Sequence, residues 1–315
     1  MRLVFAGTPA AAVPSLRELA ARHEIVAVIT RRDAEVGRKR VLTPSPVAVA
    51  AAELGLETIK ANRLDASVTA RIQELAPDLG AIVAYGGLVR EPLLSTPRLG
   101  WINLHFSLLP RWRGAAPVQR AVIAGERETG AAVFQLVPEL DAGAVFSVLR
   151  RPIEPDETSG ALLDSLALSG AALLASTVDD LAAGAAVAVP QQGEPTLAPK
   201  LGLADAHLDF TLPGDAVYAR LRGVTPEPGA FALLAGDRFK ILAARAAASD
   251  DDDAAAAAGD GDSPAPGAVE LRGRRVLVGT GTHPLELLTV QPAGKRAMAS
   301  VDWWHGLNGE KVVLS

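Results

Sequence analysis

The sequence predicts an α/β fold, with a mainly parallel sheet flanked by helices, followed by a smaller β-barrel domain. Three observations carry this. Through the first half of the chain, short apolar runs alternate with helix-period patterns, as in βαβ units. At residues 184–203 the composition changes, and Pro190, Gly193, Pro195, Pro199 and Gly202 interrupt any regular element, which marks a linker. Beyond it, short strand-like runs are separated by Gly and Pro, the pattern of a small barrel. The expected division is a first domain at 1–184, a linker at 185–205 and a second domain at 206–315.

Residues 3–6 begin the sheet. A helix over 9–21 follows, with Thr8 in the capping position and Pro9 as its first residue. Residues 24–29, rich in β-branched side chains, are the second strand. Ser45-Pro46 starts a helix over 46–54. Residues 81–85 form a buried strand that ends at Gly86-Gly87, and 101–105 form another. A helix over 117–124 starts at Ala116-Pro117. Residues 131–137 and 145–149 pair around the turn that holds Asp141. A long helix covers 158–183, with Gly170 as the place for any kink. In the second domain, 218–222 is a short helix, and strands fall at 229–234, 239–243, 275–279 and 285–290. Residues 246–267, an Ala/Asp/Gly/Pro stretch without periodicity, bury too little apolar area to offset their ordering entropy. They are expected to be a disordered insertion.

Apolar residues make up 49% of the 315 positions, enough for two cores. There is no cysteine, which excludes disulfides, thiolate metal sites and a cysteine nucleophile. The amino terminus does not read as a secretory leader, and no uninterrupted apolar run has membrane length. Taken whole, the net charge of -5 argues against a nucleic-acid partner, but Asp250, Asp251, Asp252, Asp253, Asp260 and Asp262 all lie in the insertion. Without those six, 30 acidic residues face 31 basic ones. Local clusters therefore decide what binds.

The chemistry concentrates between Trp101 and Phe146. Residues two apart on a strand point the same way, so the Asn103 amide and the His105 imidazole share a face at the carboxyl end of their strand. In open α/β sheets, ligands bind beyond such ends. Asp141 follows in a Leu-Asp-Ala-Gly turn. An amide, an imidazole and a carboxylate suit a reaction in which negative charge builds on an oxygen while protons pass between two amines. Gly7-Thr8-Pro9 lacks both phosphate-loop patterns and reads as a structural helix start. The other histidines are scattered, so no metal site is expected.

This block of N-x-H, SLLP-x-x-RGAAP and LD-x-G resembles the folate-dependent formyltransferases. MRLVFAGTP, LTPSPVAVAA and QPAGKRAM extend the likeness over nearly the whole chain. The resemblance implies a Rossmann-like catalytic domain and an OB-like barrel that binds tRNA. It implies transfer of a formyl group from 10-formyltetrahydrofolate to the α-amino group of methionyl-initiator tRNA, by a cytoplasmic monomer that uses no metal. It carries oxyanion and proton-transfer roles onto Asn103, His105 and Asp141. It places folate contacts at Ser107, Leu108, Leu109 and Pro110 and at Tyr85, Gly86, Gly87 and Leu88. Arg38, Lys39 and Arg40 would form a loop toward the acceptor stem, and Lys295 and Arg296, with Arg272, Arg274 and Arg275, would track the RNA backbone. Phe106 departs from the family, which usually has Gly there, and is expected to reshape the pocket wall. Two rivals are a formyltransferase or hydrolase acting on another acceptor, which the basic GRKR loop argues against, and a non-catalytic RNA binder, which the complete Asn103, His105 and Asp141 set argues against.

Overall fold

The computed structural model describes residues 1–37, 40–247, 263–307 and 311–315. Its first eleven strands are β1 (Arg2–Gly7), β2 (Glu24–Thr30), β3 (Ala34–Val36), β4 (Val41–Thr43), β5 (Thr58–Lys60), β6 (Leu79–Val83), β7 (Trp101–His105), β8 (Arg113–Gly114), β9 (Glu128–Gln135), β10 (Val145–Pro152) and β11 (Leu197–Ala198). Seven of them form one sheet in the order β10-β9-β7-β6-β1-β2-β5. The five from β7 to β5 are parallel, and β9 and β10 add an antiparallel edge. The mainly parallel sheet is as expected. Every residue of β6 is buried, because a sheet covered on both faces needs continuous apolar runs.

The helices of this half are α1 (Val13–Arg22), α2 (Pro46–Glu53), α3 (Ala66–Leu75), α4 (Pro117–Ile123) and α5 (Ser159–Ala183). Ser45 caps α2, its hydroxyl accepting from the Ala48 N–H at 3.0 Å. The first helix departs from expectation. A single 3₁₀ turn precedes α1, which starts with Pro14 in its first turn. Proline lacks an N–H and is tolerated only there, so Pro14 rather than Pro9 sets the start. Thr8 caps nothing, and its hydroxyl donates to the Tyr85 carbonyl. α5 runs through Gly170 without a break. That glycine lies against Leu104 and Phe106, where a Cβ would approach to 3.1 Å. Phe106, 6% exposed, is thus seated in the core opposite a glycine. α5 is long and apolar enough to cross a membrane by length and composition, but Leu166, Leu174 and Val178 are fully buried within this fold.

The segment expected as a linker carries regular structure. Val189 bridges to Val145, and β11 pairs in parallel with β8, Leu197 opposite Arg113 and Ala198 opposite Gly114. Frequent proline forbids a helix here, but an extended chain can still hydrogen-bond along one edge. The first compact unit comprises Met1–Pro117, Glu128–Pro152 and Leu163–Pro199. The second comprises Val118–Arg127, Ile153–Leu162 and Lys200–Ser315.

The second unit adds α6 (Gly214–Gly223), α7 (Ser300–His305) and seven strands: β12 (Phe231–Leu234), β13 (Asp237–Ala246), β14 (Ala268–Arg272), β15 (Arg275–Val278), β16 (Leu285–Gln291), β17 (Met298–Ala299) and β18 (Val312–Val313). They pair antiparallel along the path β12-β13-β16-β15-β14-β18, with β17 on β16. Reciprocal backbone hydrogen bonds of 2.6 and 3.0 Å between Leu233 and Ser315 join the first strand to the residues just past the last, which closes the sheet into a barrel. Trp303 packs on Phe239 with ring centroids 4.6 Å apart, a core role for that tryptophan. Most of the expected insertion, 248–262, lies outside the described residues, which resume at Ser263 ahead of β14.

Candidate active site

β7 is held on both edges, between β6 and β9. Trp101 is fully exposed to nothing but protein, its ring fills the space above Gly80, and its indole N–H donates to the Leu93 carbonyl at 2.9 Å. Ile102 and Leu104 are buried beside it; burying each such side chain is worth about 1.5–3 kcal/mol. Asn103 and His105 occupy the alternate positions and so present themselves on one face at the strand's carboxyl end.

His105 is 5% exposed, with Phe134 edge-on at 6.3 Å. Its Nε2 lies 2.8 Å from the Trp112 carbonyl. A carbonyl only accepts, so Nε2 carries the proton and donates. Nδ1 faces Asp141, 3.8 Å from Oδ2, near enough for charge and too far for a hydrogen bond. Burial pushes the imidazole below its ordinary pKa, against the opposing pulls of the Asp141 charge and the Trp112 hydrogen bond. The ring is therefore neutral at pH 7, with its Nδ1 lone pair free. The Asn103 amide oxygen is buried without a hydrogen-bond partner, an arrangement that costs about 1–3 kcal/mol.

Asp141 sits in the left-handed region at φ 46°, a conformation that costs a non-glycine residue about 1–3 kcal/mol unless its surroundings enforce it. Its Oδ2 accepts from the Gly114 N–H at 2.8 Å. Gly114 has φ 122°, and a Cβ there would meet the Ala198 carbonyl at 2.8 Å, which accounts for the glycine of RGAAP. Gly143 closes the turn, and a Cβ on it would lie 1.7 Å from the Gln135 carbonyl oxygen. Gly143→Ala should therefore lower stability by about 3 kcal/mol, the upper part of the overpacking range, read by chemical denaturation; an unchanged midpoint would contradict this close approach.

Residues 189–198 cross the site. Gln191 donates to the carbonyls of Asp141 and Gly143 at 2.7 and 2.9 Å and accepts from Arg113. The Thr196 hydroxyl accepts from the Trp112 N–H at 2.9 Å, steadying the residue whose carbonyl holds His105. Sequence reasoning missed Gln191, Thr196 and the Trp112 carbonyl, and no local pattern announces them.

The two loops expected to meet folate leave adjacent strands, since β6 and β7 pair with Val83 opposite Leu104. Ser107 is fully buried and its hydroxyl donates to the Arg111 carbonyl at 2.6 Å, so it shapes the loop from within. Leu108 and Leu109 are half-buried and Pro110 is buried. The buried Tyr85 donates its hydroxyl to the Ala61 carbonyl at 2.7 Å. Gly86 is exposed with φ 83°, Gly87 lies against the Tyr85 ring, and Leu88 is 65% exposed. Among the described residues no cluster could hold a metal ion.

Arg38 and Lys39 lie outside the described residues. Arg40 ends the β3–β4 turn, largely exposed and paired with Glu35. Lys295 and Arg296 are exposed in the turn after β16. Arg272 pairs with Glu270, and Arg275 shares Glu286 with Arg245, so these two are tied to carboxylates rather than standing as free cations.

Residues 1–178 match the formyl transferase family and 200–308 match the formyl transferase C-terminal domain. Curated relatives named methionyl-tRNA formyltransferase include one from Leifsonia xyli subsp. xyli, 68% identical over 99% of this chain and 100% of its own. Another, from Thermobifida fusca, is 50% identical over 97% and 96%. Among solved structures, the Helicobacter canadensis N-formyltransferase in complex with folinic acid and dTDP-3-aminofucose has a TM-score of 0.69 at 16% identity, covering 92% of this chain and 98% of that one. HypX from Aquifex aeolicus in complex with tetrahydrofolic acid has a TM-score of 0.61 at 17% identity, covering 96% and 46%. These two show the fold. With the N-x-H strand, the RG step and the LD-x-G turn assembled in one unit, and both family domains matched in order, the chain belongs to the formyl transferase family, among the methionyl-tRNA formyltransferases.

Proposed function

We propose that this chain transfers the formyl group of 10-formyltetrahydrofolate to the α-amino group of methionyl-initiator tRNA, giving formylmethionyl-tRNA for translation initiation. The observation that carries the reading is a neutral, buried His105, fixed through Nε2 with Nδ1 turned to Asp141 3.8 Å away, on the strand that also presents Asn103, whose amide oxygen is unpartnered. The bound folate supplies the formyl carbon. Asn103 offers its amide to the carbonyl oxygen, where negative charge builds as the amine attacks. His105 takes at Nδ1 the proton that the amine gives up and returns it toward the departing nitrogen. Asp141 stabilises the imidazolium formed between those two transfers.

The unpartnered Asn103 amide oxygen calls for a hydrogen donor, which the N–H of an attacking amine supplies. The Tyr85–Leu88 and Ser107–Pro110 loops, with exposed Leu88 and open backbone at Gly86, suit a flat heterocycle, which needs apolar contact and backbone donors. For tRNA we propose Arg38, Lys39, Arg40, Lys295 and Arg296, since cations neutralise phosphates and arginine forks read them in pairs. The reading includes a catalytic domain, a tRNA-binding barrel and a cytoplasmic monomer. The test is formyl incorporation by the purified full chain, given 10-formyltetrahydrofolate and charged initiator tRNA. Formylmethionyl-tRNA is the expected product. Formylation of a nucleotide-linked amino sugar in its place, or release of formate alone, would overturn the acceptor assignment.

A further inference from the structure

We propose that Gln191 is a positioning residue of the formyl-transfer site, holding the Asp141 turn so that its carboxylate stays aligned on His105. The proposal rests on the reading above. Gln191 spends its whole side-chain amide inside the protein. Both amide hydrogens go to the turn, to the carbonyls of Asp141 at 2.7 Å and Gly143 at 2.9 Å. Its oxygen accepts from Arg113 Nη2 at 2.6 Å and Nε at 3.2 Å. Two carbonyls at one end and a guanidinium at the other leave only one orientation of the amide.

The partners form a closed set. Gly114, next to Arg113, donates its N–H to the Asp141 carboxylate, while Gln191 binds the backbone of that same aspartate. Gln191 therefore ties the donor of the carboxylate and the turn that carries it into one frame. Such a frame is needed because Asp141 holds a left-handed φ of 46°, which relaxes unless enforced from outside. Gly143 wedged against the Gln135 carbonyl fixes one side of the turn, and Gln191 fixes the other. Its side chain has no hydrogen left for a ligand, so its effect on the reaction passes through Asp141.

Two variants test this. Gln191→Glu keeps the shape and still accepts from Arg113, but offers no hydrogen to the two carbonyls. Gln191→Ala removes both links. If the turn is what Gln191 holds, both variants lose kcat on the order of 10²-fold, the scale expected for roughly 1 Å of misplacement. KM for folate and for charged tRNA should stay within about twofold, since binding of the ground state is untouched. The NMR titration midpoint of His105 should move to lower pH in Gln191→Ala, which adds no charge, because a loosened Asp141 favours the imidazolium less. A Gln191→Glu enzyme with wild-type kcat would overturn the proposal and leave Gln191 as an anchor for Arg113 alone. A loss confined to KM, or one that follows the fraction of folded protein by circular dichroism, would overturn it as well. If the wild type itself fails to transfer formyl groups, the proposed activity falls instead, and the His105 midpoint in Gln191→Ala then decides the positioning role on its own: a lower midpoint supports it and an unchanged one overturns it.

Discussion

Asn103→Ala is expected to lower turnover by about 10²–10³-fold, the cost of removing one donor from an oxyanion site, while thermal stability holds or rises. The two halves of this result come from the two ends of one amide, the N–H that donates and the oxygen that lacks a partner. The Asn103 amide oxygen is buried with no partner inside the fold, so deleting it breaks no hydrogen bond at that atom and removes a desolvation penalty. The backbone of Asn103 stays in register between Ile82 and Phe134, and the strand remains held by Trp101, Ile102 and Leu104. A residue whose loss strengthens the fold and disables the reaction is kept for the reaction. Turnover and denaturation measured on the same preparation check both halves. A loss under about threefold would be far below the effect of an oxyanion donor and would remove Asn103 from that role.

His105→Gln is expected to cost about 10²–10⁴-fold in kcat, the range for a general acid–base group. Glutamine can still donate an N–H toward the Trp112 carbonyl, so the loop at Trp112 keeps its tie, but no group is left to take the amine's proton. The wild-type ring should titrate below its ordinary value of 6.5, because burial outweighs both Asp141 and the Trp112 hydrogen bond. The sign follows directly. In the proposed mechanism the base is the neutral ring, so its contribution is complete above that depressed midpoint and fades as pH falls through it. Asp141→Asn removes a charge that favours the imidazolium, so it should move the midpoint lower still. NMR of the His105 ring across pH 4–8, about the span in which an imidazole titrates, reads both. A midpoint at or above 6.5 in the wild type would contradict a neutral base.

Much of the site was legible because its signals are local. The period-two spacing of Asn103 and His105 needs only a strand, and Ser45-Pro46 is a cap that acts within one turn. What escaped was set by partners far along the chain. Thr8 has the side chain of a helix cap, but its hydroxyl is used by Tyr85, 77 positions away. The prolines of 185–205 read as punctuation, yet the Trp112–Thr196 bond spans 84 positions and the Arg113–Gln191 bond spans 78. Backbone carbonyls carry no sequence label at all, so the tie from His105 to Trp112 was invisible, and with it the tautomer of the ring. In the barrel, β17 and β18 have two residues each, too short to show a period. Phe106 looked like a disturbance of the pocket because Gly170, the residue that makes room for it, lies 64 positions downstream.

The interleaving of the two units along the chain constrains how members of this family can exchange parts. Residues 118–127 and 153–162 are threaded between segments of the catalytic sheet, yet they pack with the barrel: Gly223 abuts Ile123 and the Gln119 carbonyl, and the Ser159 hydroxyl donates to the Thr225 carbonyl at 2.9 Å. A graft that replaced only Lys200–Ser315 would bring in a barrel whose seat had been carved for a different one. A viable chimera has to transplant all three pieces together, so the scattered segments of the second unit are bound to drift as one inheritance.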